Sequence, residues 1–378
     1  MPSQSASNML KASVVICTHN PRSDYFTRVL DGLRHQTLPM DEWELLVVDN
    51  ASQVPLTSSC DISWHPAARH IFERELGVAY ARRRGIQEAS ADLIIFVDDD
   101  NVLDGNYLAE AVKIAQEWPF LGAWGSGCIQ GDFEVEPPES LRSWLPIRAI
   151  TAPRWSNLAG IHLLGESPQE AIPWGAGLCV RKEIAIAYRQ FCDQSSIQII
   201  SHQGEGLLGG EDTELAFVCC SRGLGVGIFP ELKMTHLIPQ RRVSEDYIVR
   251  FAEGTSISNN LLRYKWQHIM PQSPFSIKKV LSVLKTILLY RGVDRDIRLA
   301  LVRALFKAKR IIDADMRNNN DQIHHVTARV PSKAVDGLPQ IPIISASAYD
   351  DTIIEEAIKK QRHPSSLATL KTLLTGRD

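Results

Sequence analysis

The chain has 378 residues, of which 44% are hydrophobic and 22% are charged, values typical of a folded globular protein with a sizeable core. A formal net charge of −3 excludes the strongly basic surface of general nucleic-acid binders, so we expect no nucleic-acid partner. No run of residues approaches the roughly 20 apolar positions that a membrane-spanning helix needs.

The cysteines and the N-terminus both bear on location. The seven cysteines include no C-x-x-C pair, and several lie in apolar runs, a pattern typical of reduced, buried thiols. Residues 1–12 lack the charged-then-apolar order of a signal peptide and are predicted to be a flexible N-terminus. These features predict a cytoplasmic protein, with peripheral attachment to the inner face of the membrane as the alternative.

Strands and helices alternate along the first third of the chain. Residues 13–17, SVVIC, form a β-branched run that predicts a buried strand, and residues 24–35 carry apolar side chains along one helical face. The next predicted elements are a strand at 44–49, a helix at 77–89, a strand at 92–97 and a helix at 105–118. This alternation predicts an α/β fold with a mostly parallel sheet flanked by helices.

The remainder of the chain is less regular. Residues 119–175 are rich in proline, glycine and tryptophan and predict loops with short strands. A helix is predicted over 209–223, and a strand followed by a turn over 225–239. Residues 243–328 predict a helical C-terminal extension, and residues 329–378 a linker with a short terminal helix.

Polar residues stand where three predicted strands end. Thr18 and Asn20 follow the first strand, Asp49 ends the second, and the aspartate triplet 98–100 ends the third. Ligands bind outside the carboxyl ends of the strands in open parallel sheets, so these side chains are expected on one rim. Adjacent carboxylates repel each other by about 1 kcal/mol in water, and a divalent cation would relieve this repulsion. A solvated acidic turn is the alternative for the triplet.

Seven stretches, taken in chain order, resemble the motifs of family-2 glycosyltransferases with the GT-A fold. They are SVVICTHNP, LLVVDNAS, GVAYARRRG, FVDDDN, GAGLCVRKE, GEDTEL and THLIPQRR. Together they span residues 13–242, which the resemblance divides into a nucleotide-binding half at about 13–118 and an acceptor half at about 119–242. The third stretch departs from the family, because it reads Ala-Arg-Arg where Ala-Arg-Asn is common.

The resemblance implies a metal-dependent hexosyltransferase that inverts the anomeric carbon. Its donor is expected to be a nucleotide-sugar, with a UDP-sugar favoured, and its cofactor a divalent cation, Mn²⁺ or Mg²⁺. The acceptor is expected to be a saccharide, a lipid-linked molecule or a small molecule. The expected pathway is polysaccharide or glycoconjugate biosynthesis.

The residues that the resemblance assigns to the nucleotide and its phosphates are Thr18, Asn20, Asp49, Arg82, Asp98 and Asp99. The position of Asp49 contacts the nucleoside in such enzymes, and Asp98 is expected near the ribose or the hydration shell of the cation. Two alternatives stay open. Asp49 could cap a loop, as Asx turns do in many folds. Arg82 could belong with Arg83 and Arg84 to a solvated helix face.

The resemblance also indicates where the cation lies. Asp100 is expected to bind the cation that bridges the diphosphate, and His236 to be a further ligand or phosphate contact, since imidazole suits Mn²⁺ better than Mg²⁺. The alternative for His236 is a structural role. Arg241 and Arg242 are expected either to clamp diphosphate oxygens or to be surface charges.

Two adjacent acidic residues begin the helix predicted over 209–223. The resemblance implies that Asp212 is the general base for the acceptor hydroxyl, with Glu211 orienting the acceptor or standing in as base. A helix N-cap is the alternative for this pair. The stretch WGAGL, residues 174–178, is expected to line the sugar pocket, because glycines let a substrate approach the backbone and Trp174 offers a flat face.

Two other classes of function fit parts of the sequence. FVDDDNV also matches the D-x-D-x-[TV] signature of haloacid-dehalogenase-type phosphatases, with Asp98 as nucleophile and Asp100 as acid/base. That signature normally follows the first strand of its domain, whereas at least two predicted strands precede it here. A non-catalytic nucleotide- or carbohydrate-binding protein is the third class, and the presence of both acidic motifs argues against it.

Residues 275–290, FSIKKVLSVLKTILLY, mix apolar residues with lysines. This segment is expected either to lie on a membrane surface, where it would bring the enzyme to a lipid-linked acceptor, or to pack against the catalytic domain or a second subunit of a homo-oligomer.

Overall fold

The computed structural model of the protein describes residues 10–157, 171–197, 207–271 and 285–326. The chain divides into two units, Met1–Asn319 and Asn320–Asp378. Of the second unit the structure describes only residues 320–326, the end of a helix. The predicted linker and terminal helix at 329–378 therefore lie outside the described residues, as do residues 275–284 of the apolar segment.

The described residues alternate between strands and helices before the chain becomes mainly helical. The strands are β1 Ala12–Thr18, β2 Trp43–Asn50, β3 Ala68–Glu73, β4 Leu93–Asp98, β5 Asn101–Leu103, β6 Leu121–Phe133, β7 Arg148–Ala149, β8 Arg154–Ser156, β9 Cys179–Arg181 and β10 Gly225–Ile238. The helices are α1 Ser23–Arg34, α2 Leu56–Ser59, α3 Val78–Glu88, α4 Tyr107–Glu117, α5 Lys182–Gln194, α6 Glu211–Ser221, α7 Glu245–Gln267 and α8 Gly292–Val326. Among the described helices, none has both the length and the apolar character that crossing a bilayer requires.

All ten of these strands belong to one sheet, whose main path runs β3-β2-β1-β4-β9-β6-β10-β5. The strands β3, β2, β1 and β4 are parallel to their neighbours. Strand β9 is antiparallel to both β4 and β6, so β6 runs in the same direction as β4, and β10 pairs with β6 in parallel. The sheet is therefore mostly parallel, and the strands with the predicted polar ends lie side by side in it.

Helices cover both faces of the sheet, which explains why β1 and β2 are buried at every position. Successive side chains of a strand point to opposite faces. Val15 and Leu46 accordingly belong to a hydrophobic cluster that includes residues of α3, α5 and α6. Val14 and Ile16 belong to a second cluster with residues of α1 and α4. The core thus consists of two layers, one on each side of the sheet.

The predicted fold class is confirmed: the protein is α/β, with a mostly parallel sheet flanked by helices and a helical C-terminal region. The strands and helices predicted between residues 13 and 118 appear within two residues of their expected bounds. Strand β3 is an exception, since no strand was expected there. Its sequence, ARHIFE, buries only Ile71 fully, because β3 is the edge of the sheet.

A second difference concerns β6, a 13-residue strand in a segment predicted to hold loops with short strands. Its sequence, LGAWGSGCIQGDF, contains glycines that indicate turns when read locally. In the structure they allow close packing instead. A Cβ atom at Gly125 would lie 2.9 Å from the Cβ of Pro173, and one at Gly127 would lie 2.5 Å from the carbonyl carbon of Phe229.

Candidate active site

The carboxyl ends of β1, β2 and β4 form one rim of the sheet, as the sequence predicted. Thr18 stands opposite Asp49 in the pairing of β1 with β2, and Cys17 stands opposite Asp98 in the pairing of β1 with β4. The aspartate triplet continues from Asp98 into the turn before β5. The parallel register thus brings the predicted nucleotide-binding residues of three strands together.

A later part of the chain reaches the same rim through β10. Strand β5 pairs with β10 in antiparallel fashion, and Asn101 stands opposite His236 in that pairing. The backbone N–H of Leu237 donates to the carbonyl oxygen of Asp100 over 2.8 Å. These contacts place His236 beside the triplet, although 136 positions separate it from Asp100 in the numbering.

Asp100 is surrounded by positively charged and hydrogen-bonding groups. Its Oδ2 atom lies 2.8 Å from Nη1 of Arg242 and 3.7 Å from Nε2 of His236, and the same Nη1 lies 3.0 Å from that Nε2. Burial alone would raise the pKa of Asp100, but the His236 hydrogen bond and the Arg242 charge bring it below its ordinary value. Asp100 is therefore an ionised carboxylate. Arg242, for which the sequence left a diphosphate clamp and a surface charge as alternatives, is its ion-pair partner.

Asn101 is a site residue that the sequence reasoning missed. It is 1% exposed, and its side-chain nitrogen donates to Oδ2 of Asp98 over 3.2 Å and to Oδ1 of Asp100 over 3.1 Å. Its side-chain oxygen is buried and has no hydrogen-bond partner within the described part of the chain. The Asn101 amide thus fixes the relative orientation of the Asp98 and Asp100 carboxylates. The only sequence signal for this role is that Asn101 directly follows the aspartate triplet.

Asp99 points to a different partner. The Thr18 hydroxyl donates to its Oδ2 atom. Burial, as the largest cause, raises the pKa of Asp99 to about 6, because it disfavours the charged form more than the Thr18 hydrogen bond favours it. The three aspartates therefore have three distinct environments.

Asp49 and Asn20 shape the loops that follow β2 and β1 at the rim. The carboxylate of Asp49 accepts backbone N–H groups from Ser52 over 2.9 Å and from Leu56 over 3.0 Å. Asn20 has φ 49°, and its side-chain oxygen accepts the N–H of Gln53 over 2.8 Å. Asp49 therefore caps the loop after β2, as the alternative for this residue predicted. Its contact with a nucleoside stays a prediction.

Arg82 connects the two acidic motifs. This side chain on α3 is 8% exposed, so the solvated-face alternative does not apply to it. Its Nη2 lies 3.2 Å from Oδ1 of Asp98, and its Nη1 lies 3.1 Å from Oε1 of Glu211. Arg83 and Arg84 pair elsewhere, with Asp193 and Glu88 respectively.

The acidic pair lies in the first turn of α6, but neither residue caps the helix. The N-cap position belongs to Gly210, whose φ of 103° favours glycine, so the N-cap alternative is wrong for both carboxylates. The carboxylate of Asp212 accepts the N–H of Gly175 over 3.0 Å and that of Thr213 over 2.7 Å. Burial, followed by the charge of Glu211, raises the pKa of Asp212 above its ordinary value.

The stretch WGAGL lies beside Asp212 through its Gly175 N–H group. A Cβ atom at Gly175 would lie 2.7 Å from Nη2 of Arg82, so a side chain at this position would displace that guanidinium. One face of the Trp174 ring is covered by the guanidinium of Arg148, whose carbon lies 3.8 Å from the ring centroid. The predicted sugar-facing residues thus adjoin the predicted base, and Arg148 is a further charged group that the sequence did not indicate.

The residues at the rim fit a divalent cation as a two-donor site. Within the described residues, no group of three or more His, Cys, Asp or Glu side chains is arranged to hold a metal ion. The donors of Asp100 and His236 lie 3.7 Å apart. Two ligands that each lie about 2.1 Å from a shared cation can have that separation, and carboxylate with imidazole suits Mn²⁺. Such a site needs further oxygen ligands, which diphosphate would supply.

Comparison with known proteins identifies related sequences. Residues 13–176 match the model of the family described as Glycosyl transferase family 2. The chain is 26% identical over 141 residues to poly(ribitol-phosphate) beta-N-acetylglucosaminyltransferase TarS of Staphylococcus aureus, covering 35% of this chain and 24% of TarS. It is 23% identical over 131 residues to the glucosyl-dolichyl phosphate glucuronosyltransferase of Haloferax volcanii, covering 34% of this chain and 42% of that relative. The chain therefore spans less than half the length of either relative.

Two solved structures align with most of this chain at low sequence identity. The mannosyltransferase PcManGT of Pyrobaculum calidifontis, in complex with GDP-Man and Mn²⁺, is 19% identical, with 85% of this chain and 80% of that chain covered and a TM-score of 0.47. Residues 1–349 of TarS from S. aureus are 16% identical, with 81% and 92% covered and a TM-score of 0.39. The family match, at residues 13–176, includes the aspartate triplet but ends before Glu211 and Asp212.

Proposed function

We propose that this chain, a member of glycosyl transferase family 2, transfers a sugar from a nucleotide-sugar to an acceptor hydroxyl with inversion and with a divalent cation. The observation that carries the proposal is the position of Arg82. One buried guanidinium pairs with Asp98 of the donor motif and with Glu211, the neighbour of the candidate base. Donor and acceptor chemistry would then meet within the length of one arginine side chain.

The donor side of the site is built from the strand ends. Thr18, Asn20 and Asp49 line the loops where the nucleoside would lie, and Asp98 would accept hydrogen bonds from the ribose. Asp100 and His236 would hold the cation. When bound, the cation would supply positive charge that stabilises the departing diphosphate. Arg242 would add a second positive charge at the same place.

The acceptor side depends on Asp212. Its raised pKa lies closer to neutral pH than that of an ordinary aspartate, so its ionised form is a better proton acceptor. The N–H groups of Gly175 and Thr213 hold its two oxygens in place. In the proposed reaction Asp212 removes the proton of the acceptor hydroxyl as the oxygen attacks the anomeric carbon, and the nucleoside diphosphate leaves from the opposite face. A single carboxylate suffices for this direct displacement.

The structure does not meet the requirement of the phosphatase alternative for the position of its signature. Its signature belongs after the first strand of a domain, whereas β1, β2 and β3 precede Asp98 here. Asp98 is also paired with Arg82 and Asn101, and these contacts hold its carboxylate in one orientation.

Release of nucleoside diphosphate tests the proposal directly. The protein is incubated with a panel of UDP- and GDP-sugars and Mn²⁺, with and without acceptors, before and after metal removal by EDTA. We expect slow nucleoside diphosphate release from one donor, loss with EDTA and recovery with Mn²⁺, and an inverted product by NMR. Release of inorganic phosphate alone would identify a phosphatase, and binding without release would identify a non-catalytic protein.

Arg82 offers a matched pair of variants for the same assay. Arg82→Gln removes the cation between the two motifs and is expected to abolish most of the release. Arg84→Gln lies on the same helix, where Arg84 pairs with Glu88 one turn away, and is expected to keep it. Equal activity in the two variants would contradict the assigned role of Arg82.

A further inference from the structure

Arg148 is a partly buried cation that has no ion-pair partner within the described residues. It lies in β7, which pairs with β6. In the described part of the chain, its Nη1 lies near two backbone carbonyl oxygens, those of Ser126 at 3.4 Å and Ile172 at 3.5 Å. Among the residues that the structure describes, no carboxylate lies within ion-pair distance of it. Most of its five N–H donors therefore have no acceptor among these residues.

Other arginines that are at least partly buried have closer partners. Arg82 pairs with two carboxylates, and Arg242 pairs with Asp100. Arg181 donates to three backbone carbonyls, at 2.7, 2.8 and 3.3 Å. Burial lowers the pKa of Arg148 to about 10, and the charge of Asp212 offsets only part of this effect. A desolvated cation with unused donors is unfavourable in the ligand-free protein, which is the arrangement expected of a binding group.

Arg148 lies near the residues proposed for the acceptor side of the site. Its guanidinium carbon lies over the Trp174 ring, 3.8 Å from the centroid, so the ring holds the charged group beside residues 174–175. The next residue, Gly175, donates its N–H to Asp212 over 3.0 Å. Arg148 is thus connected to the candidate base, whereas the diphosphate would lie at Asp100 and Arg242.

We propose that Arg148, held against Trp174, binds an anionic group of the acceptor, a phosphate or a carboxylate close to the hydroxyl that Asp212 deprotonates. This inference rests on the proposed glycosyltransferase function and narrows its acceptor class. The planar guanidinium fork binds both kinds of anion through two parallel hydrogen bonds, which a neutral polyol cannot match.

Matched probes separate the anionic group from the polyol that carries it. Glycerol, glycerol 3-phosphate and glycerate are titrated into the full chain in the presence of UDP and Mn²⁺, with binding measured by calorimetry. We expect the wild type to bind at least one anionic probe about tenfold or more tighter than glycerol. Arg148→Gln is expected to remove that preference, and Arg148→Lys to keep part of it, because lysine keeps the charge but not the fork.

Arg142 provides the control variant. It lies six positions before Arg148 and pairs with Glu136 at 2.8 Å and Glu139 at 3.0 Å. Arg142→Gln therefore removes one positive charge that already has carboxylate partners. This variant is expected to keep the preference for the anionic probe. Far-UV circular dichroism and the melting temperature of each variant establish that it is folded.

Two outcomes would overturn the inference. One is equal affinity of wild type and Arg148→Gln for all three probes. The other is a wild-type protein that binds neither anionic probe more tightly than glycerol. Because calorimetry needs no turnover, either result is distinguishable from an absence of nucleoside diphosphate release, which would instead remove the proposed transferase function.

Discussion

Arg242 lies 2.8 Å from Asp100 and covers the carboxylate oxygen that also faces His236. The guanidinium therefore supplies a positive charge at the place where a divalent cation would have its two protein ligands. A metal ion that binds there has to displace Arg242 or share Asp100 with it.

Removal of this charge is expected to strengthen metal binding in the absence of nucleotide. Arg242→Gln leaves Asp100 and His236 in place and removes a cation that repels the metal ion, so we expect the Mn²⁺ affinity to rise by about threefold to tenfold. Calorimetry or the electron paramagnetic resonance of free Mn²⁺ measures this change. Arg241→Gln, at an exposed neighbouring position, is the control. An unchanged or weaker affinity in Arg242→Gln would show that the metal does not use Asp100.

Asn101 is expected to act through the two carboxylates that it holds. Asn101→Leu has a similar volume but lacks the amide that donates to Asp98 and Asp100. Hydrogen bonds to charged groups contribute about 1.5–3 kcal/mol each, so we expect the Mn²⁺-dependent affinity for UDP to fall by tenfold or more. Asn106→Ala serves as the control, because the Asn106 side chain is exposed and accepts from Thr37. If both variants bound UDP with wild-type affinity in Mn²⁺, the fork would have no role in the site.

The rim itself could be predicted from the sequence, since β1, β2 and β4 are continuous apolar runs whose ends are marked by polar residues. Local pattern is enough for such strands, because both faces of each are buried. The resemblance to a family then assigned chemistry to those ends. The acidic pair at 211–212 was found in the same way, although its N-cap alternative failed once Gly210 proved to take that position.

Contacts made by short or antiparallel strands could not be predicted. Asn101 meets His236 through the pairing of β5 with β10, and Arg148 reaches Trp174 through β7, which has only two residues. Neither pairing leaves a periodic signal in the sequence. Local pattern also failed at β6, where glycines that serve packing look like turn residues. The partners of Asp100 and the lack of an ion-pair partner for Arg148 within the described residues could therefore be found only from the structure.

The buried pair Lys265–Glu214 is expected to hold α7 against α6. Glu214 is 1% exposed, and Lys265 is its ion-pair partner from the other helix. Lys265→Met would leave a buried carboxylate unpaired, which costs about 3–5 kcal/mol of unfolding free energy. Urea denaturation measures the loss, and the double variant Lys265→Met, Glu214→Gln is expected to recover most of it.

Lys307→Met is the matched control for that experiment. Lys307 also pairs with a carboxylate, that of Glu253, but its own side chain is 59% exposed. We expect its removal to cost about 1 kcal/mol or less. Similar losses in the two lysine variants would mean that burial of the Lys265 pair does not matter.

His65 is expected to make the protein less stable in acid. The residue is 2% exposed, its ring centroid lies 4.1 Å from that of Trp43, and burial lowers its pKa to about 4 from 6.5. Below pH 6.5 the unfolded chain gains a proton that the folded protein does not accept until about pH 4, so folding stability falls over that range. Between pH 7 and pH 4.5 the loss from this group is about 2–3 kcal/mol.

His65→Gln separates this effect from other titrations. Glutamine cannot gain the proton, so the variant should show a shallower decline of unfolding free energy with falling pH, whatever its stability at pH 7. His35→Gln, whose parent side chain is 70% exposed, should decline as the wild type does. Parallel pH curves for wild type and His65→Gln would disprove the assignment.

Asp212 and Glu211 are expected to differ in the kind of defect that their loss causes. Asp212→Asn keeps an oxygen that accepts a backbone N–H but loses the proton acceptor, so kcat for sugar transfer should fall by about 10²–10⁴ while the affinity for UDP with Mn²⁺ stays close to that of the wild type. Glu211→Gln removes the ion pair with Arg82, which also binds Asp98, so this variant should raise the donor KM as well.

The acid limb of the wild-type pH profile of kcat/KM should lie above pH 3.8, because the pKa of Asp212 is raised and transfer stops when this base is protonated. Asp212→Asn should lose that limb from its residual rate. If it kept the limb, or if its kcat stayed within about threefold of the wild-type value, the base would have to be another group.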